Sequence, residues 1–257
     1  MRISVNVDAL CGGAMGLPEK FAAVAEAGFD ALEFWGWYDG QKDERELKRL
    51  SEGTGIAISM LCTRFVTLLD PARRGEYIEG LKKTVESAMA MNVKNIVTQV
   101  GDEIEGVGRD RQADSLIGGL KACSEVLSGT GITLLYEPLN IVKDHAGYFL
   151  SRADEAFAIC RAVGAGNVKV LYDIYHQQLT DGNIIKNITG NMDCIAYFHA
   201  ANAPGRDDLG GHGELDYRGI FKAIKDTGYA GFIGLEYFRK MGLRESLADV
   251  RSLLPQP

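Results

Sequence analysis

The sequence predicts an α/β fold: a (β/α)8 TIM barrel, formed as a single domain over residues 1–257. Three observations carry this reading. Apolar, β-rich runs alternate with helix-like runs from end to end, in eight units, as a parallel sheet requires. The strand runs are nearly continuously apolar, as strands covered on both faces must be. The length of 257 residues matches the roughly 250 typical of one such barrel. The competing arrangement is an open doubly wound sheet, but no GxGxxG turn follows the first run, where a dinucleotide-binding sheet would place one.

In chain order, RISVNV leads into LPEKFAAVAEAG, ALEFWGW into DERELKRLSEGTG, and IAISML into PARRGEYIEGLKKTVESAMAMN. NIVTQV then precedes RQADSLIGGLKACSEVLSGTG, and ITLLYEP precedes SRADEAFAICRAVG. VKVLYD precedes a short helical segment near DGNIIKNITG, IAYFHAAN precedes DYRGIFKAIKDTG, and FIGLEYF precedes RESLADVRSLL. Glycines 28, 53, 131, 164 and 228 are expected to close helices, because the residue after a helix often takes positive φ. Ser151 with Asp154 resembles a capping box in which Asp replaces Glu or Gln. No Pro/Gly/Ser-rich linker or compositional break divides the chain.

Bulk properties narrow the function. A 46% hydrophobic, 25% charged chain of this size can bury a core without disulfides. A net charge of −7 without a Lys/Arg cluster argues against gripping phosphate backbones, so no nucleic-acid partner is expected. Cys11, Cys62, Cys123, Cys160 and Cys194 are odd in number and lack CxxC spacing, which predicts free thiols and a cytoplasmic protein. MRISVNVDAL opens as a strand rather than a secretory signal, and no window reaches the ~18 apolar residues of a membrane span. A small-molecule substrate is expected, with a homo-oligomer left open.

Four side chains occupy like positions. Glu137, Asp173, His199 and Glu236 each fall at or near the end of one of the last four strand runs. In a parallel barrel all strand ends meet on one face, where catalytic residues gather. Three carboxylates and an imidazole on one axis repel unless a cation neutralises them. Hard oxygen donors with one nitrogen suit Mg²⁺ or Mn²⁺, so one divalent metal is the expected cofactor. Each residue alone also has a plain structural explanation, such as a loop cap, an arginine pair or a core histidine; recurrence in four successive strands favours one shared site. His176 lies three residues beyond Asp173, at what reads as the start of a loop. Arg206, in NAPGRDD, either recognises a substrate carboxylate with its planar fork or pairs at the surface with Asp207 or Asp208. Glu33 either orients a ligand or forms a structural ion pair. Trp35 and Trp37 wall a pocket or meet another subunit. His145 and His212 lie in loops within reach, His212 in the glycine-rich GGHGELDY, and Asp102, Glu103 and Glu105 form a solvated acidic edge.

The segments LLYEPLN, LYDIYHQQ, HAANAPGR, GHGELDY (with Glu214) and GLEY, in this order, resemble the xylose-isomerase-like barrel superfamily, and within it the hydroxypyruvate isomerase branch. The resemblance implies that Glu137, Asp173, His199 and Glu236 bind one divalent metal. It implies that Glu137 and Glu236 also move protons, and that His176 and Arg206 contact substrate. The implied reaction interconverts hydroxypyruvate and tartronate semialdehyde by proton transfer through an enediolate. The alternative is a ketose 3-epimerase, or an inosose isomerase or epimerase, on the same metal site. The position of His199 is often glutamine in the isomerases and resembles the epimerases; that of Asn202 is often Asp, while APGR leans to the isomerases. An endonuclease IV type of repair enzyme would call for more histidines and basic loops, and a non-catalytic barrel would not need four ligands.

Overall fold

The computed structural model describes residues 1–255. Its strands are β1 (Arg2–Asn6), β2 (Ala31–Glu33), β3 (Ala57–Ile58), β4 (Leu61–Cys62), β5 (Asn95–Thr98), β6 (Thr133–Tyr136), β7 (Val168–Asp173), β8 (Ile195–Ala200) and β9 (Phe232–Leu235). All neighbours pair in parallel, in the order β3-β2-β1-β9-β8-β7-β6-β5-β4. The two ends of that order, β3 and β4, are halves of the single run IAISML. Across the break, Ser59 N donates to Leu32 O at 3.0 Å and Asn95 Nδ2 to Ser59 O at 2.9 Å. The ring therefore closes through this divided third strand, and the predicted barrel is the observed one.

The outer helices form where the sequence supplies caps and an apolar stripe. Asp43 accepts from Arg45 N at 2.8 Å to start α3 (Glu44–Thr54), which buries Leu47 and Leu50. Asp216 starts α9 (Tyr217–Asp226), whose buried Tyr217, Ile220, Phe221 and Ile224 repeat at i, i+3, i+4 and i+7, one face of a helix. Gly28, Gly164 and Gly228 take the expected positive φ at helix ends, and Gly131 takes it in the turn after α5 (Arg109–Val126). Gly53 does not: it lies within α3, and the left-handed cap is Gly55 at φ 73. The Ser151/Asp154 box is also absent. Helix α6 (Ala153–Val163) starts from Arg152 with no side-chain cap, and Asp154 pairs with the Arg152 guanidinium instead. The short sixth helix is two helices, α7 (Ile174–Thr180) and α8 (Ile184–Gly190).

The strands bury both faces, but differently. Val168, Val170 and Tyr172 of β7 pack into the core beneath the helices. Ala31, Met60, Val97, Leu135, Leu171, Tyr197 and Phe232 fill a separate cluster, the plug inside the barrel. Residues two apart on a strand share a face. Leu135 and Glu137, Leu171 and Asp173, Tyr197 and His199, and Ala31 and Glu33 therefore stack as a polar layer over an apolar one. Glu236 follows Phe232 and Gly234 on the same face.

Candidate metal centre

Asp173 ends β7 and caps α7, accepting from His176 N at 3.0 Å through Oδ1. His199 stands opposite it in register, while Glu137 and Glu236 each lie one residue past the end of their strand. All four are buried, and one donor atom from each falls within 4.8 Å of the others. His199 Nδ1 is 3.5 Å from both Glu137 Oε1 and Glu236 Oε2. Three of these inward atoms, Glu137 Oε1, Asp173 Oδ2 and His199 Nδ1, are buried without a hydrogen-bond partner. Leaving such groups unsatisfied is costly. The same set of donors can hold a metal ion, which accounts for all three.

The two glutamates differ in surroundings. Glu236 is gripped: Trp35 Nε1 donates to Oε1 at 2.5 Å, Asn6 Nδ2 to the same atom at 3.4 Å, and Arg206 Nη2 to Oε2 at 2.6 Å. Burial alone would raise its pKa, but His199, Arg206 and the indole draw it down to about 2. Glu137 has fewer partners, and burial lifts it to about 7 against the opposing pull of His199. Burial disfavours a charged His199, yet Glu236, Glu33 and the contact to Glu137 hold its pKa well above the ordinary value. In the metal-free protein, a histidine proton does part of what a cation would do.

His176 is not in a loop, as the sequence suggested, but in the first turn of α7 and fully buried. Its Nδ1 faces the Asn140 amide at 2.6 Å, leaving Nε2 3.7 Å from Asp173 Oδ2. Burial depresses its pKa to about 4, so it is a neutral donor at physiological pH. Arg206 does not pair with Asp207 or Asp208. Asp207 pairs with Lys240, and Asp208 Oδ2 accepts from the backbone of Lys240 and Met241 at 2.6 and 3.2 Å. Arg206 sits at φ 53, over the Tyr175 ring at 5.4 Å, and its buried Nε has no partner. Asn202 holds this loop: its Nδ2 lies within 3.2–3.4 Å of the carbonyls of Asp208, Leu209 and Gly211, contacts a carboxylate could not donate.

Glu137, His176, His199, Arg206 and Glu236 line a cavity of about 350 Å³, together with Trp35, Tyr38, Gln41, Gln99 and His145. Trp37 instead donates to Cys62 O at 2.8 Å, and Glu33 lies beneath His199. His212 is exposed and outside the cavity lining; Asp102, Glu103 and Glu105 are exposed as expected. A larger groove of about 1310 Å³ lies against α10 (Leu243–Leu253) and α2 (Leu17–Glu26). It is lined by alanines and surface ion pairs such as Arg244–Glu26 at 3.0 Å. Buried unpartnered donors converge only in the smaller cavity, among the described residues. The sequence reading missed Asn6, Asn140 and the indole contact of Trp35; Asn6 alone carried a signal, as the last residue of an apolar strand.

Loading this centre has a predictable pH dependence. Ligands must be deprotonated to coordinate, while Glu137 and His199 hold protons near neutrality in the metal-free state. Divalent-metal affinity is therefore expected to rise between about pH 6 and 8 with proton release, as measured by titration calorimetry in buffers of different ionisation enthalpy. A pH-independent affinity would contradict it.

The comparisons agree with this architecture. Residues 21–253 match the family model described as xylose isomerase-like TIM barrel. The chain is 30% identical to hydroxypyruvate isomerase of Escherichia coli over 92% of this chain and 93% of that protein. It is 29% identical to 2-oxo-tetronate isomerase of Cupriavidus necator over 92% of each. A crystal structure from Brucella melitensis, titled AP endonuclease, family 2, superposes with a TM-score of 0.90 at 25% identity, covering 99% of this chain and 100% of that one. No described helix is long and apolar enough to cross a membrane. The chain belongs to the xylose isomerase-like TIM barrel family, in its hydroxypyruvate isomerase branch, and is an isomerase.

Proposed function

We propose that the protein interconverts hydroxypyruvate and tartronate semialdehyde. The carrying observation is Arg206, a largely buried guanidinium with an unpartnered Nε, lining the same cavity as Glu137, His199 and Glu236 of the four metal-type ligands. A neutral sugar has no need of it; a 2-oxo acid brings a carboxylate that fits a guanidinium edge. The reaction moves one proton from C3 to C2 and another between the attached oxygens. Glu137, Asp173, His199 and Glu236 would hold one Mg²⁺ or Mn²⁺, hard ions suited to three carboxylates. When bound, that ion supplies charge stabilisation for the oxygen that turns anionic as the C–H proton leaves.

The protein's own groups account for the proton movements. Glu137, whose Oε1 has no hydrogen-bond partner, takes and returns the carbon-bound proton. Glu236, fixed by three donors, is the second acid–base group and carries the proton that passes between the two oxygens. His176, neutral and oriented by Asn140, donates Nε2–H to a substrate oxygen. Tyr38, Gln41 and Gln99 also line the cavity and offer neutral hydrogen-bonding groups to a further hydroxyl, so a four-carbon 2-oxo acid is a second substrate candidate. The test is a panel of hydroxypyruvate, 2-oxo-tetronate, tagatose, psicose, ribulose and inososes, with and without EDTA. Turnover of an acid, lost with the metal and restored by Mg²⁺ or Mn²⁺, is expected. Turnover of ketoses alone would replace this assignment with an epimerase, and full activity in metal-free protein would remove the metal from the reaction.

A further inference from the structure

Beneath the metal-type ligands lies a buried carboxylate that does not itself line the cavity. Glu33, at the end of β2, has no solvent exposure. Its Oε2 accepts from Tyr197 Oη and from Ser59 Oγ, the latter at 3.2 Å. Ser59 Oγ in turn meets Tyr197 Oη at 2.9 Å and Ser4 Oγ at 2.6 Å. This polar knot anchors one carboxylate oxygen and leaves the other, Oε1, without a hydrogen bond. Oε1 lies 2.9 Å from His199 Nε2, within ion-pair distance though without hydrogen-bond alignment.

The neighbouring strand makes room for this pair. A Cβ on Gly234 would stand 2.5 Å from Glu33 Oε1 and 2.7 Å from His199 Cδ2, closer than real contacts allow. The Tyr197 ring meets the imidazole edge-on, at 5.7 Å and 89°. A neutral imidazole carries its proton on one nitrogen and a lone pair on the other. A carboxylate on the far nitrogen decides which.

We propose that Glu33 is a positioning residue for His199. Its negative charge, 2.9 Å from Nε2, favours the proton on that nitrogen and so leaves Nδ1, as a lone-pair donor, toward the position enclosed by Glu137, Asp173 and Glu236. The proposal rests on the reading of those four residues as metal ligands. It assigns Glu33 no contact with substrate and makes Gly234 the residue that permits the pairing.

The test compares metal-depleted wild type with Glu33→Gln, titrated with Mn²⁺, after circular dichroism has shown both folded. The Mn²⁺ dissociation constant of Glu33→Gln is expected to rise about 10- to 100-fold. At saturating Mn²⁺, kcat should recover to within a few-fold of wild type while the activating concentration stays high. In Mg²⁺-loaded wild type, ¹⁵N spectra should place the His199 proton on Nε2; a proton on Nδ1 overturns the proposal. Should Glu33→Gln not fold, Tyr197→Phe loosens the same carboxylate and should weaken Mn²⁺ about fivefold, less than Glu33→Gln because the carboxylate itself remains. Wild-type affinity in the folded variant tested overturns the positioning role alone. A wild type that binds no Mn²⁺ overturns the metal reading, and the positioning role with it.

Discussion

Glu137→Gln is expected to lower kcat for isomerisation by about two to four decades, the usual worth of a placed acid–base group. Glutamine keeps the shape and one oxygen for coordination but neither takes nor holds the carbon-bound proton. Glu137 is the stronger choice for that task because its Oε1 has no hydrogen-bond partner, whereas the Glu236 carboxylate is held by three donors. Glu236→Gln should also be severe, with a second effect, since its carboxylate anchors Trp35, Asn6 and Arg206. The measurement is exchange of substrate C–H into deuterated solvent, which follows proton removal even when turnover stops. Wild-type exchange in Glu137→Gln would take the proton-moving role away from it.

Arg206→Ala should reduce kcat/KM for hydroxypyruvate by about one to two decades, since charge-assisted hydrogen bonds contribute about 1.5–3 kcal/mol and each decade corresponds to about 1.4 kcal/mol. Arg206→Lys should recover only part, because a point charge does not reproduce the planar fork. Arg206 also lies 2.6 Å from Glu236 Oε2 and helps to keep that group ionised. Its loss is thus expected to shift the acid limb of the pH–rate profile upward as well. Unchanged hydroxypyruvate turnover in Arg206→Ala would remove the carboxylate-recognition argument and favour a neutral substrate.

The barrel and the four-residue cluster were legible because both follow from chain periodicity. An apolar run that ends on a carboxylate or imidazole, repeated in successive parallel strands, leaves those side chains few places to go but the common mouth. The partners of these residues were not legible. Trp35 and Glu236 are 201 positions apart, and nothing local in ALEFWGW says which tryptophan turns inward. Arg206 had two acids beside it in sequence, yet both are used by the strand-nine loop, through Lys240 and Met241. Gly53 was expected to close its helix, but the helix runs on to Gly55, because glycine inside a helix costs only about 1 kcal/mol. His176 was misread as loop because Asp173 serves twice, as a strand end and as the cap of the helix that follows without a break.

The division of the third strand bears on which ligands the cavity accommodates. Segments β3 and β4 share only two residue pairs each with their neighbours, whereas β6 shares four with β5. Between them stand Ser59 and Met60, and Met60, Cys62 and Thr63 form part of the cavity wall. Opposite that wall, the carboxylates and His199 are fixed to longer strands. The site therefore has a stiff side that does chemistry and a compliant side that bounds the rest of the substrate. Changes in preferred chain length can arise at Met60, Cys62 and Thr63 without disturbing the reacting groups.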